Sequence, residues 1–147
     1  MKIVASTFTI TLVCLGAVWL TREGMSFDAP VLRYHRHQNI CADACAACSN
    51  ASAACAEECV VLLTEGHQEF SATLRICNDC GDLCSVAAKI ESRRGPLNEL
   101  TCEACAKACD LCAAECRLHK DRRTLMECAN ACAACAEACR EMLRQSD

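Results

Sequence analysis

Between Cys102 and Cys116 the positions that an ordinary bundle helix fills with Leu or Ile carry cysteine, at 102, 105, 109, 112 and 116. Steps alternating between three and four average about 3.5 residues, so every thiol falls on one stripe of an α-helix and faces partner helices. Leu111, the only large aliphatic residue in that interval, lies off the stripe. The same pattern organises most of the chain. Residues 31–63 read as a first helix with Cys41, Cys45, Cys48, Cys55 and Cys59 on one stripe, Ser52 in the slot between Cys48 and Cys55, and Gly66 as its stop. A second helix is predicted over 67–92, striped by His67, Phe70, Thr73, Cys77, Cys80, Cys84 and then Ala87 or Ala88, and ended by Arg94-Gly95-Pro96. A third covers about 97–120, and a fourth covers 123–144 with Cys128, Cys132, Cys135 and Cys139. The connections are short, which makes successive helices antiparallel. The expected fold is all-α: an antiparallel four-helix bundle with a cysteine-lined core, preceded by an apolar N-terminal segment.

The helices repeat one another. A shift of 57 superposes Cys45, Cys48, Ser52, Cys55 and Cys59 on Cys102, Cys105, Cys109, Cys112 and Cys116. A shift of 87 superposes the run from Cys41 to Cys48 on that from Cys128 to Cys135. The bundle reads as duplication of one cysteine-bearing helix.

Ahead of it, Ile3 to Leu20 is apolar apart from Ser and Thr, long enough for a short membrane span or a long signal core. Lys2 precedes this run, while Arg22, Arg33 and Arg36 follow it, which by the positive-inside rule places the remainder in the cytoplasm. Export to the periplasm is the alternative, although no twin arginine precedes the run and Thr11-Leu12-Val13 makes a poor lipoprotein signal before Cys14. The chain divides into an apolar leader over 1–24, a polar lead-in over 25–40 carrying His35 and His37, and the bundle over 41–147. Alternatively translation starts at Met25, because Arg22-Glu23-Gly24 is what a purine-rich ribosome-binding site encodes.

Composition narrows the chemistry. A chain of 147 residues with a net charge of −4 carries no electrostatic footprint for nucleic acid. Its 18 cysteines must be explained, and its 53% hydrophobic content is largely Ala and Cys, with aromatics at only 3%. Soft thiolates select Cu(I), Zn or iron–sulfur clusters. Iron–sulfur runs wrap loop backbone around the cluster, and structural zinc gathers discrete sets of four ligands, usually from turns. A continuous helical stripe marks neither. Cu(I) is satisfied by two or three thiolates, and a bridging thiolate serves two ions, so a column of thiols holds about one ion per cysteine. The alternative is a zinc- or disulfide-stabilised structural or interaction bundle, in which only thiols on different helices could pair. A chaperone that hands on one or two ions needs an exposed pair, and this chain buries a column. No nucleophile–base pair or phosphate loop stands out, which argues against an enzyme.

CxxxCxxC and CxxCxxxCxxC stripes on four antiparallel helices, Glu115-Cys116-Arg117-Leu118-His119 closing the third, and Cys132-Ala-Ala-Cys135-Ala-Glu-Ala-Cys139-Arg140-Glu-Met142 in the fourth resemble the bacterial copper storage proteins. The resemblance covers about 35–145. It implies many Cu(I) ions in the bundle interior, homotetramers of bundles, and admission at one open end lined by His or Met. It leaves the ion number open, since Ser52 and Thr73 stand where thiols would fit. The expected ligands are the seventeen bundle thiols already named. His119 and His67 are the candidate gateway ligands at the end near Cys59 and Cys128, with Met126 beside them and Leu62, Phe70 and Leu125 partly plugging that end. At the opposite end His37 and Met142 join the stripes of Cys41, Cys84 and Cys139. Glu57, Glu58, Glu103, Lys107, Asp110, Lys120, Arg122 and Glu137 read as a solvated face, and residues 3–20 as a possible membrane tether.

Overall fold

Four helices account for nearly all of the computed structural model, which describes residues 29–146: α1 Ala29–Thr64, α2 Ser71–Ser92, α3 Asn98–Cys116 and α4 Arg123–Ser146. A single 3₁₀ turn, Gln68–Phe70, leads into α2. The apolar leader, the tether over 3–20 and the Met25 start lie outside the described residues. The lead-in from residue 29 onward is helical, continuous with the first cysteine-bearing turns. α1 packs on α2 and α4, and α3 packs on the same two, so the helices form a square with α1 and α3 on one diagonal. Small residues beside the stripes, among them Ala87, Ala113, Ala129 and Ala136, are buried and bring the helix axes close.

The connections have clear local causes. Gly66 adopts φ 98° after α1. The His67 amide bonds the Leu62 carbonyl at 3.0 Å and the Gly66 amide bonds Leu63 at 3.1 Å, the paired bonds of a Schellman cap. α2 ends in the same cap, with the Gly95 amide on Ile90 at 2.9 Å and the Arg94 amide on Glu91 at 3.0 Å. Here the left-handed residue is Arg94, φ 54°, and not the glycine beside it. Gly95 is closely packed: a Cβ there would sit 3.1 Å from the Ile90 side chain.

Two boundaries differ from the expectation. Regular α2 starts at Ser71 because Gly66 and the 3₁₀ turn take up 66–70, which leaves His67 outside it. α3 stops at Cys116, where amide bonds tighten to Leu118 on Glu115 and His119 on Cys116. No Gly or Pro marks that stop, so periodicity alone carried the predicted helix to 120. His119 therefore stands in the α3–α4 connection.

Candidate metal centre

All seventeen cysteines in the described residues have zero exposure, and all are free thiols. They form one continuous column along the bundle axis. The helices on each diagonal meet mainly through sulfur. Across α1 and α3, Sγ–Sγ separations are 3.6 Å for Cys41–Cys102, 3.8 Å for Cys45–Cys105, 3.7 Å for Cys48–Cys109 and 3.9 Å for Cys55–Cys116. Across α2 and α4 they are 3.9 Å for Cys80–Cys132 and 4.0 Å for Cys84–Cys135. Sulfurs of adjacent helices are nearer still, 3.2 Å for Cys77–Cys55 and 3.3 Å for Cys84–Cys105.

The column divides into overlapping rungs whose sulfurs lie within 4.8 Å of one another: Cys41/Cys102/Cys139, Cys45/Cys105/Cys135/Cys139, Cys48/Cys80/Cys109/Cys132 and Cys55/Cys77/Cys116/Cys128 among them. Cys139 belongs to two rungs, and Cys48 and Cys109 are shared with a further rung through Cys84 and Cys135. Shared donors are what bridging thiolates require. Ser52, fully buried, continues the column in its own slot, with Oγ 3.8 Å from the Cys128 sulfur.

Packing thiols this densely splits their acidities. Hydrogen bonds with Cys112, Cys116 and Cys132 hold Cys128 well below the ordinary thiol range, and those led by Cys112 pull Cys116 down to about 5. Cys109 is pushed well up by hydrogen bonding with Cys105, Cys132 and Cys135, and burial pushes up Cys59. A proton on one sulfur stabilises charge on the next, so the column titrates as a coupled set. Complete ionisation needs cations among the sulfurs.

The end near Cys59 is plugged by Leu62, Phe70 and Leu125, all buried. Buried Thr73 donates its hydroxyl proton to Glu115 Oε1 at 3.0 Å, and its oxygen lies 3.2 Å from His119 Nε2. With that proton committed, His119 must donate from Nε2, which leaves the Nδ1 lone pair of the neutral ring for a metal. The His119 ring lies against Phe70, centroids 4.3 Å apart. His67 is placed at the same end as expected, but it is exposed, pairs with Glu69 at 3.2 Å and reaches the plug only through the outer edge of Phe70. Met126 is half-buried there. Arg122 departs from the solvated-face expectation: it is half-buried, with its guanidinium 5.8 Å from the Phe70 centroid and 4.0 Å from Glu58. Glu103 and Lys107 form the expected exposed pair, at 2.7 Å.

At the opposite end Met142 is buried against the column, whereas His37 turns aside to Glu141 at 4.0 Å. The stripe position above Cys41 is taken by Gln38, 2% exposed, whose Oε1 lies 3.3 Å from His35 Nδ1. Sequence reasoning missed Gln38 and, more consequentially, Glu91. The α2 stripe runs 77, 80, 84, 87, and the next step of four reaches Glu91, so the signal was present. Glu91 is fully buried, accepts a hydrogen bond from the Cys102 thiol at 3.2 Å, and its Oε2 has no partner. Burial raises its carboxyl to about 7.

Comparison with known proteins gives a consistent result. The family model described as copper storage protein matches residues 34–144. A Cu(I)-bound copper storage protein, BsCsp3, is 32% identical with a TM-score of 0.67, covering 73% of this chain and 98% of its own. A cytosolic copper storage protein from Streptomyces lividans, in a form with five coppers, is 29% identical with a TM-score of 0.71, covering 76% of this chain and 96% of its own. The cysteine-rich protein YhjQ of Bacillus subtilis is 33% identical over 84 residues, which is 57% of this chain and 76% of YhjQ.

Proposed function

The chain belongs to the copper storage protein family, and from that membership together with its buried thiol column we propose that it stores many Cu(I) ions along the bundle axis. The observation that carries this reading is the set of seventeen unexposed free thiols with neighbouring sulfurs 3.2 to 4.0 Å apart. A thiolate–metal bond of about 2.3 Å, the length found for zinc, separates two sulfurs on one trigonal ion by about 4 Å. The column is thus spaced for ions seated between sulfurs without rearrangement of the helices. Each arriving Cu(I) replaces thiol protons, so loading releases acid and weakens as pH falls.

The ligands in this reading are Cys41, Cys45, Cys48, Cys55, Cys59, Cys77, Cys80, Cys84, Cys102, Cys105, Cys109, Cys112, Cys116, Cys128, Cys132, Cys135 and Cys139. His119 serves as the gateway, because its Nδ1 is left free by the Thr73 bond and it sits beside the plug over Cys59. In this reading the chain works as a reservoir: it holds ligands in number along one buried column. Exposed Leu100, Leu111 and Leu118, the last 73% exposed, support assembly of bundles into a homo-oligomer. A cytoplasmic store, with 1–24 as leader or tether, fits both the charge asymmetry of the leader and the cytosolic relative.

The test is an anaerobic Cu(I) titration of the reduced protein against a competing chelator, with free thiols counted before and after. An end point approaching the seventeen bundle thiols supports storage. Uptake that stops after one or two ions refutes it.

A further inference from the structure

Charge is divided unevenly along the bundle axis. Residues 29–40 and 89–99, which build the end beyond Cys41 and Cys102, carry Arg33, Arg36, Lys89, Arg93 and Arg94 against one exposed carboxylate, Glu99. None of these five cations forms an ion pair among the described residues. The remaining stretches, 41–88 and 100–147, hold 15 acidic residues against 8 basic ones. The fold gathers the cations, because α1 starts at this end, α2 finishes there and α3 starts there. Asn98 Nδ2 donates to the Tyr34 hydroxyl oxygen at 2.8 Å, which fixes the α2–α3 turn against the first turns of α1. Lys89 and Ser92 line one groove with Ala42 and Asp43 of α1. Among the cations stand apolar side chains open to solvent: Val31 is 49% exposed, Leu32 53% and Leu97 56%. In the sequence, only residues 21–28, with Arg22 among them, separate this end from the apolar run over 3–20.

We propose that this end of the bundle docks on an anionic lipid surface, with its arginines and Lys89 at the headgroup phosphates and Val31, Leu32 and Leu97 in the interfacial layer. A Lys or Arg held near an anionic bilayer strengthens binding by about fivefold. Apolar side chains interspersed with such cations add burial at the headgroup–acyl boundary. They also favour lipid over a nucleic-acid backbone, whose phosphates offer nothing for Val31, Leu32 or Leu97 to cover. A second copy of the chain is a poor occupant, since a two-fold contact here would set the five cations against their own copies. The acidic remainder of the bundle is repelled by the same surface, so the molecule stands end-on. His119, at the other end, then faces the aqueous side, from which copper arrives. The docking itself does not depend on the storage reading; it goes beyond the tether reading by giving the folded bundle its own contact with lipid.

The experiment uses the full, reduced chain with one reporter, Leu97→Trp in a Trp19→Phe background, and vesicles of phosphatidylcholine with or without phosphatidylglycerol. Flotation reads whether the chain is held by vesicles, and acrylamide quenching of the reporter reads whether this end meets lipid. With phosphatidylglycerol the reporter emission should shift to the blue and become protected, while phosphatidylcholine alone leaves it at its solution value. Arg33→Gln, Arg36→Gln and Arg93→Gln together should lower the docked-to-undocked ratio by about a hundredfold, at about fivefold each. Arg117→Gln with Lys120→Gln, at the far end, should leave protection unchanged. Salt at about 1 M, where the Debye length is about 3 Å, should release the end in the chain that keeps its arginines, which keeps the test decisive where circular dichroism shows the triple variant misfolded. Equal quenching on both vesicle types overturns the proposal, even where flotation shows the leader holding the chain to both. Flotation confined to phosphatidylglycerol vesicles, with a protected reporter, supports docking and refutes the tether. Protection in vesicle-free buffer that grows with protein concentration overturns it in favour of a second copy. Protection by soluble polyphosphate as strong as that by vesicles overturns lipid as the occupant.

Discussion

Replacing Ser52 by cysteine tests whether the column binds in proportion to its donors. Ser52 interrupts the α1 stripe between Cys48 and Cys55, is fully buried and has Oγ 3.8 Å from the Cys128 sulfur. A C–S bond is longer than a C–O bond, so the new sulfur moves toward Cys128, into the 3.2 to 4.0 Å range that the native sulfurs already occupy. Gly81 packs closely on this position, since a Cβ there would lie 3.3 Å from the Ser52 Cβ. Two effects follow. Copper capacity should rise by about one ion per chain, since each added bridging thiolate serves about one Cu(I). The metal-free protein should gain about 1 kcal/mol, because a buried hydroxyl with only a long sulfur contact is exchanged for a thiol that packs as a small hydrophobe. Anaerobic Cu(I) titration against a chelator reads the first effect, and urea unfolding of the reduced apoprotein reads the second. If a thiol assay finds the extra sulfur while the copper end point stays at the wild-type value, capacity is set by closed clusters and the proportional argument fails.

Four further outcomes follow from particular contacts. The Glu91 carboxyl, raised from 4.5 to about 7, binds its proton more tightly in the folded state, so its own contribution to apoprotein stability is fully present below pH 4.5 and is lost as pH rises through about 7; with about 1.4 kcal/mol per unit that contribution is about 3 kcal/mol. Urea unfolding across that window should show this slope in the wild type and not in Glu91→Gln. Arg94→Gly relieves a left-handed non-glycine residue at the α2 cap and should raise the unfolding free energy by about 1 kcal/mol, whereas Gly95→Ala should lower it by driving a Cβ against Ile90. His119→Ala should slow copper uptake in stopped-flow measurements while lowering the end point by no more than about one ion, the share of a single donor; an unchanged rate removes His119 from the gateway. Leu125→Ala opens a cavity in the plug and should cost about 2–5 kcal/mol by urea unfolding while sparing copper capacity.

The bundle was legible because cysteine replaced the usual core residues without disturbing their spacing. Steps of three and four named the inward face of each helix, and the antiparallel order placed Cys59, Cys116 and Cys128 at one end and Cys41, Cys102 and Cys139 at the other. What periodicity cannot supply is where a helix stops when no Gly or Pro stops it. α3 ends at Cys116 through tightened amide bonds, and His119 reaches Thr73 from a connecting turn and not from a helical stripe. His67 has the converse history: it occupies a stripe position in the sequence, but Gly66 and the 3₁₀ turn break the register and leave it exposed. Glu91 was missed because the stripe was followed only as far as residues that look like ligands or core. A carboxylate on an inward face reads as an error in the pattern until its surroundings are seen.

The ends and the middle of this bundle are built for different tasks. Through the middle, helices on opposite corners meet sulfur to sulfur, and free thiols are small hydrophobes that contribute modest packing to a metal-free core. Bulk is concentrated at the ends, with Leu62, Phe70 and Leu125 at one and Met142 and Ile90 at the other. Caps and plugs at these ends therefore hold the helices parallel to the axis whether or not metal is present, and the Schellman caps at Gly66 and Arg94 fix the two turns that set the α1–α2 and α2–α3 spacing. That separation matters for a store. If the ligands themselves were the main source of stability, emptying the column would unfold it, as it does in small zinc-dependent domains. With the apolar anchors placed outside the thiol column, ligation adds to stability without being its precondition, and the same framework can be filled and emptied.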